Sequence, residues 1–181
     1  VVPLFISAGY FTNTVVPREM ALEGPETRRG SQVIRYTAPV GAHPAFADVI
    51  VERAREAGAG RTDSIAVLGH GTRRDAESEK NVLHMADLVR VRGLFSEVAA
   101  VFLDQEPNML QLLDILSSPV VVVVPLFIAD GWHVGQTIPG DLALNGPETR
   151  REGRVVRYTP PVGTHASMAG VILELAREAD R

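Results

Sequence analysis

A duplication constrains this chain more than any other feature. VVPLFISAGY at Val1 recurs as VVPLFIADGW at Val123, GPETRR occurs at Gly24 and Gly146, and RYTAPVGAH at Arg35 recurs as RYTPPVGTH at Arg157. The offset is 122 residues throughout, without a gap, and 32 of the 59 aligned positions are identical. A period that long marks a duplicated unit, not a solenoid. About 60 residues without a counterpart precede the second copy. The expected organisation is therefore a complete second unit over 60–181, preceded over 1–59 by the C-terminal half of a first. On this reading Val1 begins in mid-domain, on what is normally an interior strand, and the chain is a fragment of a larger protein.

The second unit alternates strand and helix patterns. Residues 64–68 and 98–103 are short apolar strands, and 120–128 is a nearly unbroken β-branched run, as expected of a strand buried on both faces. Residues 77–91 place Val82, Met85, Ala86 and Val89 at helical spacing. Pro107 suits the first turn of a helix reaching about Leu116, and a short helix follows Pro139. Residues 154–158 form a fourth strand, and 166–178 a closing amphipathic helix. The pattern predicts an α/β fold: a parallel four-stranded sheet with helices on both faces and right-handed crossovers. The first copy contributes a third strand, a fourth strand and a last helix. GPETRR, RYT and PVG read as a turn, a strand and the start of a helix.

Composition removes several function classes. The chain has no cysteine, so disulfides, thiolate metal sites and Cys-held clusters are excluded, and any metal site must use His, Asp or Glu. A net charge of −4 argues against binding nucleic acid by phosphate neutralisation. The apolar run over 119–129 is too short to span a bilayer, and no secretory signal opens the chain. A cytoplasmic location is the default. No glycine loop of the Walker type is present, so no nucleotide is implied.

In an open parallel sheet, ligands bind at the carboxyl ends of the strands. Two histidines stand there: Gly69-His70-Gly71 follows the first strand of the second unit, and Gly131-Trp132-His133 follows the third. If those strands are neighbours, both imidazoles enter one crevice. After the second strand, Asp104 and Glu106 are acidic candidates, although Glu106 before Pro107 also suits a helix start. Two imidazoles and one carboxylate leave a metal shell open, which suits a protein that hands its metal on. Trp132 either packs or offers a stacking face. Arg28, Arg29, Arg150 and Arg151 either form surface ion pairs or dock carboxylates. His43 and His165 occupy matching positions before the last helix of each copy and read as caps. His84 reads as a partly exposed helix residue.

VLGHGTRRDAE, FSEVAAVFLDQEP, VVVVPLFIADGWHVGQTIPGDL and PPVGTH, in that order, resemble the class II tetrapyrrole chelatases of the sirohydrochlorin cobaltochelatase (CbiX) type, over about residues 64–178. The resemblance implies ATP-independent insertion of a divalent metal, Co²⁺ or alternatively Fe²⁺ or Ni²⁺, into sirohydrochlorin or a related tetrapyrrole. It implies that His70 and His133 hold the metal and help remove pyrrole protons, with an acidic residue after the second strand, Asp104 or Glu106, assisting them; Glu106 is the candidate third ligand. Trp132, Arg73, Arg150 and Arg151 are then candidate substrate contacts. In the first copy Phe11 replaces His133 and Tyr10 replaces Trp132, which makes that copy a non-catalytic partner. The partners expected are a tetrapyrrole and no nucleic acid or membrane. The two repeats pair within the chain, with a homo-oligomer as a further option. The rival reading is a non-catalytic metal or tetrapyrrole carrier. A histidine phosphatase is disfavoured because Leu68-Gly69 precedes His70 where an arginine is needed.

Overall fold

The computed structural model describes residues 1–71 and 76–181. From the N-terminus, residues 1–9 form no helix or strand, and a wide π-type turn over Phe11–Val15 runs into α1 (Val16–Glu19). A hairpin of β1 (Glu26–Arg29) and β2 (Gln32–Arg35) follows, then α2 (Phe46–Glu56). The second unit continues with β3 (Ser64–Gly69), α3 (Ala76–Arg90), β4 (Glu97–Phe102) and α4 (Leu112–Ile115). It closes with β5 (Val120–Pro125), α5 (Ile138–Asp141), β6 (Glu148–Arg151), β7 (Arg154–Tyr158) and α6 (Met168–Glu178).

The main sheet has the order β4-β3-β5-β7-β6. Its first four members are parallel, as expected, but the sheet has a fifth strand, β6, antiparallel to β7. That strand is the ETRR segment read from sequence as a turn. ETRR carries no apolar residue, so it gives no strand signal. Its pairing depends on the two-residue turn Glu152-Gly153, both at positive φ (50° and 78°), a geometry that matches strand twist in hairpins. The first copy repeats this as β1–β2, an antiparallel pair in place of the two sheet strands expected there. Its opening apolar segment lies outside the named strands, although the Thr37 N–H donates to the Val1 carbonyl at 3.1 Å, as Thr159 does to Val123. Pro107 does not open a helix. Helical turns begin only at Met109, after Asn108 caps the Leu110 N–H.

Side chains alternate across β3, so both faces need cover. Ile65 and Val67, with Val122 and Val124 of β5, face a core built from α2, α3 and α6. Ala66 and Leu68, with Val121, Val123 and Val156, face α4 and α5 through Leu112, Leu116, Ile138 and Leu142. The helix of the first copy is therefore part of the core of the second: Phe46, Val49, Ile50 and Ala54 of α2 are all buried in the first cluster. Asn81 of α3 ties the copies further by donating to the carbonyls of Ile6 and Gly41.

At the amino ends of β3 and β4, Glu97 accepts from Ser64 Oγ at 2.6 Å, from Ser117 N–H at 2.8 Å and from Ser117 Oγ at 2.9 Å. The Ser64 hydroxyl, followed by Ser117, holds the Glu97 carboxyl below its ordinary range. A carboxylate depressed on folding stabilises above its unfolded pKa and loses that contribution as pH falls through the folded value. Glu97→Gln should therefore cost stability at neutral pH, by about 0.5–1 kcal/mol once solvent screening of this part-exposed carboxylate is allowed for. It should also flatten the loss of stability on acidification, as read from urea midpoints between pH 7 and pH 3.

Candidate metal-handling site

Because β3 and β5 are adjacent and parallel, with Leu68 opposite Pro125, the segments leaving their carboxyl ends share one crevice. His70 follows β3 directly. Gly71 takes φ +73°, a backbone state that side chains disfavour. A Cβ there would also meet Gln105 Cγ at 2.6 Å. His133 opens the π-type turn His133–Thr137, which leads into α5 and is anchored by buried Val134 and Ile138. Tyr158 of β7 donates its hydroxyl to the Val134 carbonyl at 2.9 Å. Burial raises the Tyr158 pKa, and the Asp130 charge adds to that, so the hydroxyl stays a donor.

The His70 and His133 rings stand 4.9 Å apart, centroid to centroid, edge to face at 87°. Phe127 lies 6.2 Å from the His70 ring. His70 Nδ1 is 2.9 Å from the Gly71 carbonyl and 3.4 Å from Asp104 Oδ2. Both partners only accept, so the proton belongs on Nδ1 and the Nε2 lone pair is left for a metal or a proton. The His70 side chain is 42% exposed and that of Asp104 58%. The site is therefore open to solvent.

Of the two acidic candidates, Asp104 is the one brought to His70. Glu106 turns away to accept the Asn108 N–H at 3.0 Å, a local cap that its place before Pro107 foreshadowed. Trp132 is 76% exposed, so its reading as a packing residue fails. Arg73 lies outside the described residues. Arg150 and Arg151 are not brought to the crevice. They pair with Val155 and Arg154 at the amino end of β7, the opposite end of the sheet. There Arg151 donates to the Leu142 carbonyl at 2.8 Å, a bond that Arg29 repeats onto Met20 in the first copy. The duplicated arginine is thus explained by helix capping. His43 and His165 cap as expected: their Nδ1 atoms accept the N–H groups of Ala45 and Ser167. His84 is exposed on α3. Cavities of about 380 and 340 Å³ open between each helix end and the hairpin of the other copy, and neither includes His70 or His133.

No helix among the described residues is long and apolar enough to cross a membrane. The CbiX family model matches residues 1–57 and 64–179. A probable sirohydrochlorin cobaltochelatase of Halobacterium salinarum is 37% identical over 99% of this chain and 71% of its own length. A multi-domain protein of Deinococcus radiodurans, described as structurally similar to chelatases with two additional novel domains, superposes with a TM-score of 0.80 at 30% identity. The match covers all of this chain and 41% of that protein, so the chain spans about two fifths of its length. SirB from Bacillus subtilis, solved with Fe³⁺, superposes with a TM-score of 0.73 at 19% identity over 99% of this chain and 70% of its own, a likeness of fold.

Proposed function

Since this chain belongs to the CbiX family, we propose that it is an ATP-independent chelatase that inserts a divalent metal into sirohydrochlorin or a closely related tetrapyrrole. The observation that carries the reading is the pair of imidazoles 4.9 Å apart at the carboxyl ends of adjacent strands. Chelation exchanges two pyrrole N–H protons for one divalent cation. One imidazole presents the metal and the other accepts a proton, since the neutral ring does both. The exposure of His70 lets protons pass on to water. With Asp104 as the nearby carboxylate, the ligand set stays incomplete and the metal can be released. The exposed indole of Trp132 offers a face for the macrocycle. Arg73, three residues after His70, remains the candidate for a substrate carboxylate.

On this reading residues 60–181 are the complete catalytic unit, and residues 1–59 are the C-terminal half of a first, non-catalytic unit. The metal is a substrate: Co²⁺, Fe²⁺ or Ni²⁺. The reaction needs no nucleotide and runs in the cytoplasm. The test is to mix the protein with metal-free sirohydrochlorin and each ion in turn, and to follow the change in macrocycle absorbance. Acceleration over the protein-free rate is expected with at least one ion. Stoichiometric binding without acceleration would replace the chelatase with a carrier.

A further inference from the structure

We infer that His43, Glu174 and Glu178 form a second site for a divalent first-row metal ion, outside the His70–His133 crevice. One ligand atom from each lies within 4.8 Å of the other two. Bonds of about 2.0–2.2 Å from imidazole nitrogen or carboxylate oxygen to such an ion need only a small closure of that triangle. The glutamates stand one turn apart near the C-terminal end of α6, and His43 comes from the other copy, just before α2. Imidazole with two carboxylates suits Zn²⁺, Co²⁺ or Ni²⁺ better than Mg²⁺ or Ca²⁺.

The duplication supplies the comparison. The counterparts 122 residues away are His165, Glu52 and Glu56. His165 Nε2 lies 3.1 Å from Glu56 Oε1, and its Nδ1 3.5 Å from Glu52 Oε2. That twin carries its own cation. Arg53 places one guanidinium nitrogen 2.9 Å from Glu56 Oε2 and another 2.9 Å from Thr164 Oγ1. Arg53, with His165 second, holds the Glu56 carboxyl below its ordinary range.

At the His43 cluster, Leu175 stands in place of Arg53 and Ala42 in place of Thr164. Both acids and the histidine are kept while the cation is gone. Among the described residues Glu174 has no ion pair, and the only ionisable partner of Glu178 is the His43 imidazole, whose Nε2 lies 3.5 Å from Glu178 Oε1. Arg177 and Arg181 border the same surface, but among the described residues neither forms an ion pair there. Two carboxylates one turn apart repel, and the negative end of a helix adds to the cost. A metal ion removes both penalties.

His43 Nδ1 accepts the Ala45 N–H at a long 3.3 Å, so Nε2 faces Glu178. An ion on Nε2 shifts the ring proton to Nδ1 and ends the Ala45 contact. Since the ligands come from both copies, the ion fastens α6 to the first copy, and stability rises with metal concentration.

The test uses the full chain carrying His70→Ala and His133→Ala, so that the crevice does not compete and the result does not depend on the chelatase reading. Titration with Co²⁺, followed by visible absorption and Tm, should show one ion bound per chain and a rise in Tm. Adding Glu174→Gln should weaken binding about ten- to hundredfold and abolish the rise. That side chain is exposed and unpaired, so the fold should tolerate the change. Glu52→Gln should change neither readout, because Arg53 already serves the twin. No binding in the double variant, or binding indifferent to Glu174→Gln, would overturn the inference.

Discussion

Replacing His70 or His133 by Ala should lower the rate of metal insertion by about two orders of magnitude or more, the scale of losing a positioned acid–base group. Both residues sit on the open rim of the sheet, and neither belongs to either core cluster, so Tm should change little. Phe11 is the control built into the chain. It occupies the position of His133 in the first copy, is exposed, and stacks on Phe5 at 6.5 Å. Phenylalanine neither ligates nor takes a proton, so Phe11→Ala should leave the chemical step nearly intact. Acidification should slow the wild-type enzyme, because protonated imidazole does neither job. Equal losses from Phe11→Ala and His133→Ala, with the fold preserved, would mean that the reacting centre lies elsewhere. Full activity in the His70→Ala variant would remove the imidazole from the mechanism.

The parts of this site that rest on chain order were legible in the sequence, and the parts that rest on pairing were not. His70 and His133 each follow a strand, and the apolar runs marked those strands within a residue or two at their starts. Their meeting depended on β3 and β5 being neighbours, a topological fact that no local pattern carries. The choice between Asp104 and Glu106 turned on which carboxylate the loop after β4 bends toward His70. Two acids two residues apart are equivalent at the level of spacing. ETRR is not legible as a strand because its stabilisation is a backbone ladder with β7, not burial. The only signal of it was the turn chemistry of Glu152-Gly153. For the arginines the repeat itself was the better guide: a residue kept in a copy that has lost its histidine is kept for the fold, and Arg29 and Arg151 are both used on a helix carbonyl.

The largest effect on stability should come from a residue of the first copy. Phe46 begins α2 and is fully buried in the cluster that also contains Ile65, Val67, Val122 and Val124. Removing a buried phenyl ring costs about 3–5 kcal/mol, because the neighbours collapse only partly into the space. That is a large share of the roughly 5–15 kcal/mol by which a domain is stable. If α2 is integral to the second sheet, Phe46→Ala should lower the urea midpoint in a single transition, with fluorescence of Trp132 and far-ultraviolet dichroism moving together. Insertion activity should then be lost at the same urea concentration as the fold, since β3 and β5 carry the histidines and share that core. A variant that unfolds in two steps, with the second step at the wild-type midpoint, would show instead that residues 1–59 are an appendage, and that the sheet needs no helix from the other copy to stand.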